Sequence, residues 1–493
     1  MAIRQLDWLP GTTRRSMLLD GLVIALVAIL ARGALQYLAP VFINKDSVSY
    51  FVPGWDLAHG VGFSPDYRRA PLYSWLIAAA LAAFGDQLSS VSLVQHILGA
   101  GTVVAAYILG VLTFGRRVAL ISALIAAVSG PLLIYEQRID AETLFGFLLT
   151  ITALFWALGL RRSQHRWFFV GGLVLGLAAL TRPAGQVLIL ALPVALLIQK
   201  RQIGGAIGPA CAAVVGLLLS KLPWTLLLYL QTGLVSGGAT LGEPLLSHLV
   251  FGQQWMASAY RGEQLASEFR ADGWLYDPLT TAQIRFALPD ERANLSSDEL
   301  LNQGRRQSIR LLSQGQSPSA TRERIERSLQ ISPAQIDAVF QNLALEMIRS
   351  QPLGFLASSL RGSALVMLGR VEHLEISWDA RRSQAGRMME DDWYEVRRIR
   401  DLVQPATPTQ MSAYGFIDAL TNLVQPSRYG GIMSMLALLS VFVCRGRMDW
   451  GIATLLWSSV VILTLTSTTF SWAAPRYRYP IDPLMYLLSV ATG

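Results

Sequence analysis

Residues 14–39 read RRSMLLDGLVIALVAILARGALQYLA, and this stretch decides the class of the whole chain. Two arginines lead into an apolar run, residues 17–39, which is too long for a signal-peptide core and has no small-residue cleavage signature behind it. As a helix, such a run crosses about 30 Å of hydrocarbon, so it reads as a retained first span. The same signal recurs along the 493 residues, of which 52% are hydrophobic and only 15% charged. A mean hydropathy of +0.40 lies outside the range of ordinary soluble domains. The expected fold class is an all-α polytopic membrane protein.

Ten spans are expected, at about 17–39, 90–113, 118–135, 143–160, 167–181, 186–199, 205–230, 431–445, 449–470 and 481–493. If these alternate, the basic clusters Arg14-Arg15, Arg116-Arg117, Arg161-Arg162 with Arg166, Lys200-Arg201 and Arg445 with Arg447 share one face. Positive charge accumulates on the cytoplasmic side, which orients the chain. The apolar piece 352–369 would break this order as a span, so it is expected as a helix lying at the interface, with Arg361 snorkelling. Three regions follow: a transmembrane module 1–230, a non-cytoplasmic and mainly helical segment 231–430, and C-terminal transmembrane helices 431–493. Within the second, residues 262–345 are polar with helical periodicity and cap-like starts at Ile331-Ser332-Pro333 and Leu288-Pro289-Asp290-Glu291, as in a small soluble insertion.

The charge of +8 is therefore topological, and nucleic acid is not an expected partner. Lys45, Lys200 and Lys221 are the only lysines. The arginine excess suits phosphate binding and follows equally from a GC-rich coding bias. Cys211 and Cys444 sit far apart in apolar runs, which argues against a disulfide framework or a thiolate metal site. The five histidines show no ligand spacing, and no phosphate-binding glycine loop or GxSxG element is present.

The reactive side chains cluster in the non-cytoplasmic loops. In Asn44-Lys45-Asp46-Ser47-Val48-Ser49-Tyr50, Asp46 and Tyr50 share a face if a helix opens here. Asp46 suits a general base at a membrane boundary, or simply a helix N-cap. Downstream, Arg68-Arg69-Ala70-Pro71-Leu72-Tyr73 precedes an apolar stretch, Pro71 to Phe84, too short to span. Its arginines fit a phosphate or lipid headgroups. The hairpin Tyr135-Glu136-Gln137-Arg138-Ile139-Asp140-Ala141-Glu142 packs three carboxylates between two spans, where they repel unless compensated. Arg182 stands in the turn Thr181-Arg182-Pro183, and Arg476 and Arg478 alternate with tyrosines in Pro475-Arg476-Tyr477-Arg478-Tyr479-Pro480. Alternation in an extended segment puts both arginines on one face, able to clamp a phosphate.

The order of these pieces resembles the GT-C superfamily of polyprenyl-phosphate-sugar-dependent glycosyltransferases, in particular the branch of protein O-mannosyltransferases and lipid A aminoarabinose transferases. The carriers are Asp46 to Tyr50, His59-Gly60, Arg69-Ala70-Pro71-Leu72-Tyr73, the 136–142 cluster, Leu180-Thr181-Arg182-Pro183 and Arg476-Tyr477-Arg478-Tyr479-Pro480. The resemblance implies a GT-C-like helix bundle with juxtamembrane helices on the non-cytoplasmic face. It implies Asp46 as base or acceptor holder and Asp140 or Glu142 as the second acid. Where the family often has an Asp-Glu pair, this chain has Asp46-Ser47. Tyr50, Arg69, Tyr73, Glu136, Arg182, Arg476 and Arg478 become candidates for substrate contact. The implied reaction is inverting transfer of a sugar from a polyprenyl-phosphate donor to a glycan, lipid or protein hydroxyl, in the inner membrane of a bacterium. A divalent metal is compatible with the phosphate chemistry, although the dispersed acids carry no metal signature. Competing readings are a lipid-linked glycan flippase or transporter, and a lipid-diphosphate-dependent glycan polymerase or ligase.

Overall fold

The computed structural model describes residues 14–39, 41–43, 45–63, 69–200, 204–232, 242–249, 297–313, 318–350, 352–368, 449–470 and 479–491, with a few positions between 407 and 440. It is a helical protein built as two compact units, one of Met1–Leu222, Leu368–Ile462 and Arg478–Gly493, the other of Pro223–Met367 and Leu463–Tyr477. Among the described residues six helices are long and apolar enough to cross a membrane. They are α1 (Arg14–Leu38), α4 (Leu88–Thr113), α7 (Glu142–Arg162), the continuous pair of a 3-10 helix (Pro183–Leu190) and α9 (Ala191–Lys200), α10 (Gly204–Thr232) and α16 (Trp450–Phe470). The chain is an integral membrane protein.

The difference from ten spans has local causes. The stretch 118–135 is not one helix but α5 (Arg116–Ala127) and α6 (Gly130–Gln137), bent by 44°. Ser129 is extended between them and Pro131 opens α6, where a proline lacks the N–H that would continue the ladder. Counted as one broken span, this pair is the seventh. α8 (His165–Ala179) has 15 residues. At the C-terminus α17 (Asp482–Val490) has nine residues, about 13 Å at helical rise, too short to cross. Its residues Asp482 to Ser489 are all buried, and it packs on α4 and α5. The stretch 431–445 lies mostly outside the described residues.

The two ends of the first unit differ chemically. At one end Asp20 of α1 accepts both Nε and Nη2 of Arg116 at 2.6 and 2.8 Å, and the hydroxyl of Tyr107 at 2.8 Å. Arg161 donates to the Leu112 carbonyl at 2.7 Å, and Lys200 Nζ to Ser163 Oγ at 3.0 Å. Basic residues expected on the cytoplasmic face thus meet at one end of the bundle. The residues expected on the opposite face gather at the other end. There Phe42 forms a parallel bridge with Arg138, with Phe42 N donating to Gln137 O and Ile139 N to Phe42 O, both at 3.0 Å.

Two juxtamembrane helices follow α1: α2 (Lys45–Ala58) and α3 (Leu72–Phe84). They pack closely because Gly54 has no side chain; a Cβ there would lie 2.7 Å from the Ser74 carbonyl and 2.9 Å from Ile77 Cβ. Leu72 N also donates to Leu180 O at 3.0 Å, which fastens the start of α3 to the end of α8. Glycines seat α8 on α10 as well. Gly172 lies against Ala213, and Gly176 against Leu217 and Ser220, a small-residue interface common between membrane helices.

The second unit contains α11 (Gly242–Ser247), α12 (Ser297–Ser313), α13 (Pro318–Leu329), α14 (Pro333–Ser350) and α15 (Pro352–Leu368). Leu246, Leu312, Ile325, Phe340 and Leu343 form its core. Ser332 and Gln335 make the reciprocal capping box that the Ser-Pro start suggests, at 3.3 and 3.0 Å. The Leu288-Pro289-Asp290-Glu291 start lies outside the described residues. Residues 352–368 form a helix, as expected of that apolar piece.

Candidate active site

Asp46 lies in the first turn of α2, one turn before Tyr50. Arg69, arriving from the loop ahead of α3, spans both: its Nη2 donates to Asp46 Oδ1 at 2.5 Å, and its guanidinium lies 4.9 Å from the Tyr50 ring centre. Tyr50 in turn meets Tyr73 of α3 edge to face, with centroids 5.2 Å apart. The Tyr73 hydroxyl donates to Gln95 Oε1 at 2.7 Å, and Gln95 Nε2 bonds the carbonyls of Glu136 and Arg138 at 2.9 and 2.8 Å. A continuous path of contacts therefore joins the first loop to the acidic hairpin.

Within the hairpin the three carboxylates take different partners. Arg138 Nε lies 2.5 Å from Asp140 Oδ2, with both side chains buried. Glu142 opens α7 and accepts Arg182 Nη1 at 2.7 Å. Arg182 is held in extended conformation as the N-cap of the 3-10 helix, which Pro183 begins. Glu136 turns away into the bundle. Its Oε1 accepts Arg32 Nη2 of α1 at 2.6 Å and its Oε2 faces His96 Nδ1 of α4 at 2.8 Å, while His96 Nε2 faces Gln137 Oε1 at 2.8 Å. A small cavity opens beside Glu136 and Glu142, walled by Tyr135, Thr143, Tyr479 and Pro480.

The electrostatics show how closely these groups are set. Burial pushes the Tyr50 hydroxyl above its usual value; Arg69 and Arg182 oppose the rise, while Glu142 and Asp46 add to it. Tyr73 is pushed up further, by burial and by Asp140, Glu142 and Tyr50. Both phenols are therefore neutral hydrogen-bonding groups at physiological pH. Exposure separates the acids: Asp46 retains 30% side-chain exposure, whereas Asp140 and Glu142 retain 3% and 4%. Among the described residues no group of three or more His, Cys, Asp or Glu is placed to hold a metal ion.

Of the residues singled out in the sequence, Asp46, Tyr50, Arg69, Tyr73, Asp140, Glu142 and Arg182 come together. Glu136 borders the group through the cavity and is anchored elsewhere. Arg476 and Arg478 lie outside the described residues. Sequence reasoning missed Arg32, Gln95, His96 and Arg138. Arg32 interrupts the first apolar run, and Gln95-His96 form a polar pair inside the second, which is the signal that was there to read.

His59 closes α2. It stacks on Trp55 at 4.0 Å, its Nδ1 bonds the Trp55 carbonyl at 2.8 Å and its Nε2 meets Asp86 Oδ2 at 3.0 Å. The Trp55 carbonyl first, and then Asp86, raise its pKa. A raised folded-state value means the contribution is present below the unfolded pKa of about 6.5 and is lost as pH rises through the folded one. Thermal unfolding in detergent should show wild type losing stability as pH rises above about 6.5. His59→Gln should flatten that slope, and parallel slopes would remove His59 from the account.

The family described as dolichyl-phosphate-mannose-protein mannosyltransferase matches residues 68–224, which hold Arg69, Tyr73, the acidic hairpin and Arg182. No curated protein matches the chain. Among solved structures, ArnT from Cupriavidus metallidurans bound to undecaprenyl phosphate is similar at 13% identity and TM-score 0.40, covering 95% of this chain and 78% of that one. The same protein in the apo state gives 12% and 0.39, with 88% and 84% covered. The Archaeoglobus fulgidus oligosaccharyltransferase tethered with an acceptor peptide gives 14% and 0.38, with 87% of this chain and 57% of that one covered. Over residues 68–224, under half of its length, the chain is similar to that mannosyltransferase family.

Proposed function

We propose that the protein transfers a sugar from a polyprenyl-phosphate donor to a hydroxyl acceptor, with inversion, on the face opposite the basic clusters. The observation that carries this is the convergence of two carboxylate–arginine pairs, Asp46–Arg69 and Glu142–Arg182, around Tyr50 at that end of the bundle. The donor class agrees with the name of the matching family, which acts from dolichyl-phosphate mannose.

Asp46, the partly exposed carboxylate, is the base. It takes the acceptor hydroxyl proton as that oxygen attacks the anomeric carbon, and the bond from that carbon to the phosphate oxygen breaks. The lipid phosphate departs with the bonding electrons, stabilised by arginine. Arg69 links the two halves: moving from Asp46 to the phosphate frees the carboxylate and so raises its basicity once donor is bound. Asp140 and Glu142 hold Arg138 and Arg182 in position. A single displacement inverts the anomeric configuration. Acceptors of the glycan, lipid and protein classes all present the required hydroxyl, and a bacterial inner membrane with the site on its outer face is the expected setting.

The test is reconstitution in liposomes with sugars linked to polyprenyl monophosphate or diphosphate. Transfer from the monophosphate with an inverted product anomer, read by NMR, is the expected result. Consumption of the diphosphate donor alone, or lipid movement across the bilayer without transfer, overturns the reading.

A further inference from the structure

Four acidic groups at the site end each pair with an arginine: Asp46 with Arg69, Glu136 with Arg32, Asp140 with Arg138 and Glu142 with Arg182. These pairs sum to no net charge, whereas a lipid phosphodiester brings one negative charge, and the phosphate monoester it leaves carries more. A further cation nearby would balance that charge.

Lys221 supplies it. It lies within α10, which is long and apolar enough to span the membrane, and the ammonium donates to Gln186 Oε1 at 2.5 Å. That partner is neutral, and among the described residues no carboxylate forms an ion pair with Lys221. Its height in the bilayer follows from packing. α8 and α10 run parallel: Gly208 meets His165, Ala213 meets Gly172, and Ser220 meets Gly176. Lys221 therefore stands at the level of the last turn of α8, just short of Arg182. Gln186 lies four residues past Arg182 in the 3-10 helix, about 8 Å along its axis. Outward of this pair both elements are apolar and exposed, with Leu190, Val194, Leu197 and Ile198 on one and Leu218, Leu219 and Leu222 on the other. A partly exposed ammonium thus faces a lipid-accessible apolar surface one step from Arg182.

We propose that Lys221 is the lateral contact for the phosphate of the polyprenyl-linked donor and its product, receiving the headgroup from the bilayer beside α10 and the 3-10 helix while the prenyl chain lies along the leucines. An ammonium within a span is costly unless an anion uses it, which is the physical reason to keep one here rather than a leucine. Gln186 holds the ammonium when the phosphate is away.

This inference rests on the proposed donor, and the experiment separates the two. Wild type, Lys221→Gln, Lys221→Arg and Lys200→Gln are placed in nanodiscs of phosphatidylcholine, alone or with phosphatidylglycerol, and binding of a polyprenyl monophosphate is measured. Lys221→Gln should weaken binding tenfold or more and raise the donor KM with kcat little changed; Lys221→Arg should restore most of both, and Lys200→Gln, at the other end, should do nothing. Equal binding by wild type and a folded Lys221→Gln protein overturns the inference and leaves the donor assignment standing. A Lys221→Gln defect confined to phosphatidylglycerol binding also overturns it, assigning the lysine to bulk phospholipid. No polyprenyl phosphate binding by wild type overturns the donor assignment itself. A loss in Lys221→Gln that Lys221→Arg fails to restore, accompanied by a lower unfolding temperature, marks a packing role and likewise overturns it.

Discussion

Asp46→Asn is expected to lower the turnover of sugar transfer by about 10²–10⁴-fold, the usual contribution of a positioned general base. The substitution keeps size and hydrogen-bonding capacity and removes the charge. Because Asp46 sits partly exposed at the start of α2, the fold should tolerate the change, and the unfolding temperature should stay near wild type. Donor binding should be retained or tightened, since Arg69 is released from its carboxylate at 2.5 Å and becomes available to the phosphate. That combination, slow turnover with undiminished donor affinity, distinguishes a base from a donor ligand. A mutant with normal turnover would end the assignment. Weak donor binding with normal turnover at saturation would recast Asp46 as part of the binding surface.

The second large effect is on stability. Glu136→Ala leaves Arg32 with no carboxylate in a site where both side chains are under 5% exposed, and breaking a buried pair in this way costs about 3–5 kcal/mol. His96 loses its Nδ1 partner as well. Folded yield and unfolding temperature in detergent should both fall sharply. Replacing both charges, Arg32→Leu with Glu136→Leu, should recover most of the loss, because an apolar pair of similar volume needs no compensation. A single mutant as stable as wild type would show that the pair contributes nothing, whereas a double mutant destabilised by the sum of the two singles would show that no coupling exists between them.

The acidic hairpin shows how far the sequence reached. Three carboxylates within seven residues announce a compensated site, and compensation is what the structure contains. Which acid faces which way was not legible. α6 ends at Gln137, and the Phe42–Arg138 bridge then turns the chain, so that Glu136 points back into the bundle while Asp140 and Glu142 stay with the first loop. Glu136 and Asp140 are four residues apart, but helical spacing does not apply across the break after Gln137. The first loop was easier, because Asp46 and Tyr50 lie in one uninterrupted helix where a separation of four residues fixes a shared face. Among the described residues the span boundaries differ from the expected ones for a similar reason. Hydropathy sees composition, whereas Pro131 acts on backbone geometry, and the apolar α17 is buried by its neighbours rather than by lipid.

Membrane class, the gathering of basic clusters at one end and the gathering of reactive residues at the other were determined by sequence alone, because apolar run length and charge placement act locally on each helix. The pairing of charges was decided only by tertiary structure. Arg69 reaches Asp46 across 23 residues, Arg182 reaches Glu142 across 40 and Arg32 reaches Glu136 across 104. Contacts at those separations depend on how helices pack, which glycines such as Gly54, Gly172 and Gly176 permit and no linear spacing encodes.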